Sequence, residues 1–328
     1  MVAEATEPPA PEPLIRRISA AADVLEREPP DTRPRDGQGR PGGIVYLSPL
    51  ARTLIVPDLH GRIDFVRVLL GHPVTVDDQR VPVIDALRAG LLQIVFIGDY
   101  MHSEARGAER WRKAFGEFTG GYRRHRNMDR EMTENLTCLE AVLRLKSEFP
   151  EYVTLLKGNH ENIKNEDGGG NHSFRKFALE GVMVTAWMEK FYPGELLEQI
   201  SRVEKALPLL CVGDYFLVSH CEPARLFAQH EVIEYRDRPD VILGLTWTDN
   251  DEAEAGSVSA MISRYLQISP DSPDWERCFH FAGHRPVPGR YLTRADGRFV
   301  QIHNPAARIV VEIAPNYPIV LNRDIIEI

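Results

Sequence analysis

Cysteine is scarce in this chain. Its 328 residues include four, at positions 138, 211, 221 and 278, and no two form a CxxC pair. That argues against a disulfide framework and against a thiolate-rich zinc site. Long apolar runs are missing too, since none approaches the roughly 20 residues a membrane-spanning helix requires. There is no excess of positive charge. Lys plus Arg total 39 against 48 Asp plus Glu, a net charge of −9. A whole-surface footprint for duplex nucleic acid is therefore not expected, although a local basic patch stays open. Residues Met1 to Glu7 lack the basic region and apolar segment of a secretion signal, so a cytoplasmic location is expected. What is present is ordinary for a globular protein with a sizeable core: 43% hydrophobic and 27% charged residues.

Residues 1–43 read as a Pro-rich, largely disordered tail. Pro8, Pro9, Pro11 and Pro13 interrupt its start, and Pro29-Pro30, Pro34 and Asp36-Gly37-Gln38-Gly39 interrupt its end. Ile15, Ile18, Ala22 and Leu25 fall at helical spacing between them and predict a short docking helix over Ile15–Glu28. From residue 44 to 328 the pattern is that of one domain. Apolar strand candidates run over 44–47, 53–56, 93–97 and 152–156, with helical patterns at 63–70, 105–118, 129–147, 173–190 and 196–206. After Pro208 short strands dominate, at 209–212, 215–218, 279–282, 299–302, 308–313 and 319–321, with Gly213-Asp214 as a hairpin turn. This alternation predicts an α/β fold with two packed mixed β-sheets, a β-sandwich flanked by helices.

Polar residues cluster where those strands end. Asp58 and His60, Asp99, Asn159 and His160, His220, and His284 each follow an apolar run directly. Loops at strand C-termini converge on sites in α/β folds, so five strands can aim these groups at one point. Taken singly, a strand-terminal Asp is usually a turn former. Together, carboxylate, imidazole and amide are an N/O ligand set suited to Mn²⁺, Fe or Zn²⁺. Six such groups suffice for two cations about 3.5–4 Å apart, an arrangement that activates water for phosphoester hydrolysis.

At this point the sequence resembles a known family. Asp58-Leu59-His60-Gly61, Gly98-Asp99, Gly158-Asn159-His160-Glu161, Ser219-His220 and Gly283-His284 are similar to the ordered signatures of calcineurin-like metallophosphoesterases. Leu207-Pro208, Leu245-Thr246-Trp247-Thr248-Asp249 and Ala314-Pro315-Asn316-Tyr317 resemble landmarks of the phosphoprotein phosphatase branch, the Ser/Thr protein phosphatases. The resemblance implies two divalent metal ions, with Mn²⁺ favoured, and a phosphorylated substrate. By the same resemblance Asp58 and His60 would hold the first metal, Asp99 would bridge, and Asn159, His220 and His284 would hold the second. A further His found two residues after the last one in other branches is replaced here by Pro286. His160 would protonate the leaving group, and a metal-bridging hydroxide would attack.

The departure follows Asp99. The branch's Asp-Arg-Gly is replaced by Tyr100-Met101-His102-Ser103-Glu104-Ala105-Arg106-Gly107. Glu104 or His102 is the candidate to orient His160, and Arg106 the candidate phosphate clamp, because a guanidinium can grip two phosphate oxygens. Arg238 resembles a second clamp. The interval from Asp99 to Asn159 is long for the family and predicts a helical insertion or cap over about 101–150. It carries the basic run Arg123-Arg124-His125-Arg126, an anion-binding rim or a solvated face. Two other readings stay open: a dinucleoside-polyphosphate hydrolase or nucleic-acid-end phosphatase on the same scaffold, and a non-catalytic metal-binding scaffold.

Overall fold

A computed structural model describes residues 5–76 and 78–328 of the chain. In chain order its elements begin with helix α1 (Pro11–Glu26), strands β1 (Ile44–Tyr46) and β2 (Arg52–Val56), and α2 (Ile63–Gly71). A hairpin of β3 (Pro73–Val76) and β4 (Gln79–Pro82) leads to α3 (Val83–Arg88), β5 (Leu92–Phe96), α4 (Ala108–Thr119), α5 (Arg126–Glu148) and β6 (Val153–Leu155). There follow α6 (Glu180–Phe191), α7 (Gly194–Ala206), β7 (Leu210–Val212), β8 (Phe216–Ser219), α8 (Gln229–Ile233), α9 (Pro239–Thr246) and α10 (Ser257–Leu266). The chain closes with β9 (Phe279–Ala282), β10 (Leu292–Arg294), β11 (Phe299–Gln301), β12 (Ile309–Ile313), α11 (Leu321–Asp324) and β13 (Ile325–Glu327).

Two mixed sheets carry the fold. One has the order β13-β12-β2-β5-β6, with β2, β5 and β6 parallel; the other has the order β1-β7-β8-β9-β11-β10, with β8, β9 and β11 parallel. Alternation along each strand assigns its faces. Ile55, Val95, Val218, Phe281 and Val300 point into a core shared between the sheets. Their neighbours Leu54, Ile94 and Phe96 join the core under the helices of the first half. Leu217, Ala282 and Phe299 face the opposite way, toward α8, α9 and α10. The result is the two-sheet sandwich between helical layers expected from the sequence.

The N-terminal segment corrects the tail expectation. Residues 1–4 lie outside the described residues, but α1 is a full helix whose Leu14, Ile18, Ala21, Ala22 and Leu25 are buried against α5 and α7. Pro11 and Pro13 stand in its first turn, where a missing N–H costs nothing. The stretch beyond is held by Arg33, fully buried, which pairs with Glu28 and donates to the carbonyls of Gly42 and Ala206 at 2.6 Å each. Lys146 of α5 reaches the same Glu28 carboxylate at 2.5 Å. Opposite charges and backbone acceptors thus fix a segment whose prolines and glycines suggested disorder.

α5 is the crossover between the parallel strands β5 and β6, and Met128, Met132, Leu136, Leu139, Val142 and Leu143 bury its apolar face in the helical core. With α4 it makes the inserted stretch helical, and its buried face makes it a layer of the core. The basic run sits at the α4–α5 corner, with Arg123, Arg124 and Arg126 exposed and His125 bonded to Asp129. The helix expected from Ser173 starts only at Glu180, because the Glu180 carboxylate accepts the N–H groups of Lys176, Phe177 and Ala178 and holds them in a turn. The strand expected at 319–321 gives way to α11, capped by the Asp324 carboxylate bonded to Val320 N–H, and β13 follows it.

Candidate metal centre

Each expected ligand lies where an apolar strand runs out: Asp58 and His60 after β2, Asp99 after β5, Asn159 after β6, His220 after β8 and His284 after β9. The chain turns sharply at three of them. His60, Asp99 and His284 have φ of 46°, 52° and 63°, a left-handed backbone that is uncommon outside glycine and collects at functional sites. Two neighbouring glycines make the turns possible. Gly98 has φ of 118°, and a Cβ there would come within 2.4 Å of the Gly158 nitrogen. A Cβ on Gly283 would meet Asp58 Oδ1 at 1.9 Å.

The side chains then converge. His60 Nε2 is 3.9 Å from Asp58 Oδ2 and 3.7 Å from Asp99 Oδ2. His220 Nε2 is 3.5 Å from that same Asp99 oxygen and 2.9 Å from Asn159 Oδ1, which is 3.3 Å from His284 Nδ1. Asp99 therefore stands between two groups of donors. His60 Nδ1 faces the His102 carbonyl at 2.9 Å and must carry a proton to bond it, so Nε2 presents a bare lone pair. By the same logic His220 Nδ1, 3.2 Å from the Ile97 carbonyl, leaves its Nε2 bare. Backbone N–H groups of His284 and His160 reach Asp58 Oδ2 and Asp99 Oδ1, but the His60 and His220 lone pairs face carboxylate and amide oxygens with no hydrogen between them. Asp58 Oδ1 and His284 Nε2 are buried without a hydrogen-bond partner. Such an arrangement is repulsive alone and is the coordination environment that divalent cations occupy.

Surrounding groups hold the loops in place. The buried Glu161 carboxylate accepts backbone N–H groups from Gly158, Asp99 and Tyr100 at 2.7, 2.9 and 3.0 Å, clamping the ends of β5 and β6 together. Arg62 donates to the Asp58 carbonyl at 2.8 Å and to the Ala307 carbonyl at 2.9 Å, joining the end of β2 to the loop between β11 and β12. Burial, then the nearby Glu161 and Asp58 carboxylates, pushes the Asp99 pKa well up. Burial lowers the pKa of His60, His160 and His220, and takes His284 to about 3. Neutral imidazole is the form that binds metal.

No family model matches the sequence, and no curated protein matches it. Among solved structures the chain is similar to a protein serine/threonine phosphatase from Saccharomyces cerevisiae with similarity to human phosphatase PP5, at TM-score 0.56 and 13% identity, covering 97% of this chain and 88% of that one. The chain has the fold of the calcineurin-like metallophosphoesterases. A cold-active protein-tyrosine phosphatase of a psychrophilic Shewanella species is also similar, at TM-score 0.44 and 12% identity over 88% of this chain and 78% of that one, a likeness too loose to build on.

Within this metallophosphoesterase fold the segment after Asp99 is arranged in its own way. His102, itself at φ of 64°, places Nδ1 3.2 Å from His160 Nδ1, so of the two candidates it is His102 that touches His160. Glu104 turns instead to His303, which its Oε2 meets at 2.8 Å. Arg106 donates to the His60 carbonyl at 2.7 Å and pairs with Glu134, so its guanidinium is committed to holding a ligand loop. Arg238 caps the start of α9 with its charge near Glu231, and no described contact joins it to the cluster. Phe174, from the loop before α6, lies over His160 with ring centroids 3.7 Å apart, and Lys176 of that loop is 3.9 Å from Glu104. Sequence reasoning overlooked Phe174, Lys176 and His303. For His303 the signal existed, since it follows the run 299–302 as the expected ligands follow theirs.

Proposed function

We propose that the chain is a two-metal phosphoesterase that hydrolyses phosphomonoesters in the manner of Ser/Thr protein phosphatases. The observation that carries the reading is the convergence of Asp58, His60, Asp99, Asn159, His220 and His284 from five strand ends around a shared Asp99, with lone pairs facing lone pairs. Asp58, His60 and Asp99 would hold one cation and Asp99, Asn159, His220 and His284 the other; the N/O donor set favours Mn²⁺, with Fe or Zn²⁺ as alternatives. Such a pair supplies an acidified water and charge neutralisation at the phosphoryl oxygens. All four cysteines are free and buried, in keeping with a reducing compartment such as the cytoplasm. Among the described residues no helix is long and apolar enough to cross a membrane.

His160 carries the proton chemistry. The buried His102 Nε2 has no partner. An unpaired buried N–H is rarer than an unpaired acceptor, which favours the tautomer with the His102 proton on Nδ1. His102 Nδ1–H then donates to His160 Nδ1, and the His160 proton sits on Nε2, 3.7 Å from Asp99 Oδ2 and directed at the cluster. That is the tautomer that can protonate a leaving alkoxide. A neutral imidazole behind His160 fixes this tautomer without adding negative charge.

The test is hydrolysis of p-nitrophenyl phosphate by metal-stripped protein with Mn²⁺, Zn²⁺ or Mg²⁺ restored. Turnover is expected only with metal, and Asp99→Asn is expected to lower it at least about 100-fold while the protein stays folded by circular dichroism. Turnover without metal, or an unimpaired Asp99→Asn, would overturn the reading.

A further inference from the structure

His303 stands at the end of β11 as the expected ligands stand at the ends of their own strands, and it is fully buried. Its Nε2 lies 2.8 Å from Glu104 Oε2. Lys176 Nζ faces the other Glu104 oxygen at 3.9 Å, which matches an ionised carboxylate. An ionised carboxylate only accepts, so the proton is on His303 Nε2 and Nδ1 is a bare lone pair. That Nδ1 has no hydrogen-bond partner and points 3.8 Å from Asp58 Oδ2. The His303 ring lies 5.4 Å from the His60 ring, and one ligand atom each from Asp58, His60 and His303 falls within a 4.8 Å cluster. His60 Nε2 is also a bare lone pair, so two imidazole lone pairs meet at the Asp58 carboxylate, whose Oδ2 accepts only a backbone N–H, that of His284 at 2.9 Å, among the described contacts.

The surroundings hold His303 in this pose. Its carbonyl accepts the Val287 N–H at 2.8 Å, tying β11 to the loop that carries His284 and Pro286. Arg62 bonds the carbonyls of both Asp58 and Asn304, linking the strand ends on which Asp58 and His303 sit. We propose that His303 is a ligand of the first metal through Nδ1, beside Asp58, His60 and Asp99, and that Glu104 is its positioning residue. Histidine ligands commonly donate their second N–H to a carboxylate, which fixes the tautomer and makes the ligating nitrogen more basic. The inference rests on the two-metal reading above. It moves Glu104 from the catalytic histidine to the metal, and supplies from a different strand an imidazole at the first cation.

Metal binding tests it without reference to turnover. Wild type, His303→Ala, His303→Gln and Glu104→Gln, each stripped of metal, would be titrated with Mn²⁺ by calorimetry and with Co²⁺ by visible absorption. Circular dichroism and melting would check the fold. Wild type is expected to take up two equivalents. Both His303 variants should keep one tight site and weaken the other at least about 100-fold, with loss of part of the Co²⁺ absorption; Glu104→Gln should weaken the same site about 10–100-fold. Two equivalents bound with wild-type affinity by a folded His303→Gln would overturn the assignment. A greater loss in Glu104→Gln than in His303→Gln would also overturn it, making Glu104 the ligand. If His303→Ala fails to fold, His303→Gln and Glu104→Gln decide. p-Nitrophenyl phosphate assays on the same samples separate the two ideas. Two sites of wild-type affinity in the variants, with metal-dependent turnover, would sink His303 alone. A lost site in the variants, with an inert two-metal wild type, would sink the phosphoesterase alone.

Discussion

His160 and His102 show how much a single substitution can shift the division of labour. A carboxylate behind a catalytic imidazole favours its protonated form; the neutral His102 fixes its tautomer instead. The two residues therefore predict different variants. His160→Gln removes the proton donor and is expected to lower kcat by about 10²–10⁴ for alkyl phosphates. It should matter much less for p-nitrophenyl phosphate, whose phenolate leaves without a proton. His102→Ala leaves the donor but frees its tautomer and its rotation, so a smaller loss in kcat is expected, again greater for the alkyl ester. Neither should change metal stoichiometry. Equal losses on both esters would mean that His160 acts on something other than the leaving group.

At the level of the elements, α1 is the part of the fold that the sequence concealed. Its Ile18 is fully buried against α5 and α7, and Ile18→Ala is expected to destabilise the protein by about 2–5 kcal/mol. Urea unfolding at pH 7.5 measures this, with metal affinity unchanged in the variant because α1 supplies none of the ligands. A loss near zero would mean that α1 does not pack as described. The helical spacing of Ile15, Ile18, Ala22 and Leu25 was readable, but its docking was not. Its partners on α5 and α7 lie more than a hundred residues away, and the Arg33–Glu28–Lys146 network has no local signature. Strands gave the opposite result. β2, β5, β6, β8 and β9 were legible because short apolar runs broken abruptly by Gly, Pro or polar residues have few other uses. The six candidate ligands stand out in the sequence for the same reason. His303 was missed despite an identical signal, since its neighbours Ile302 and Asn304 match no motif. The contact of Glu104 with His303 joins residues 199 apart and needs the fold to exist first.

For the molecule as a whole, buried neutral histidines set the response to acid. His280 of β9 is fully buried, bonded through Nε2 to Ser219 Oγ at 2.7 Å, and burial lowers its pKa to about 3. His102 and His284 are lowered to about 3 for the same first reason. In the unfolded chain these imidazoles titrate near 6.5. Between those values the unfolded state binds more protons than the folded one, so stability rises with pH. It is fully present above about pH 6.5 and is lost as pH falls toward 3, by up to about 1.4 kcal/mol per pH unit for each imidazole. Asp99 acts in the opposite sense. Its raised pKa lets the folded state keep a proton that the unfolded chain has released, so acid relieves part of the cost of burying it. The buried Glu161 and Glu204, the latter raised to about 8, act with Asp99. The lowered His60, His102, His160, His220, His280 and His284 outnumber these carboxyls, and the net expectation for metal-free protein is a urea midpoint that falls from pH 7 to 5. Mn²⁺ should raise the midpoint at pH 7 by mass action, and this gain should shrink at pH 5 as protons compete for the ligand imidazoles. His280→Gln, away from the metal ligands' own contacts with cations, should flatten the metal-free slope by about one proton's worth. An unchanged slope in that variant, or a midpoint independent of pH over the whole range, would show that the buried imidazoles are not held neutral by the fold.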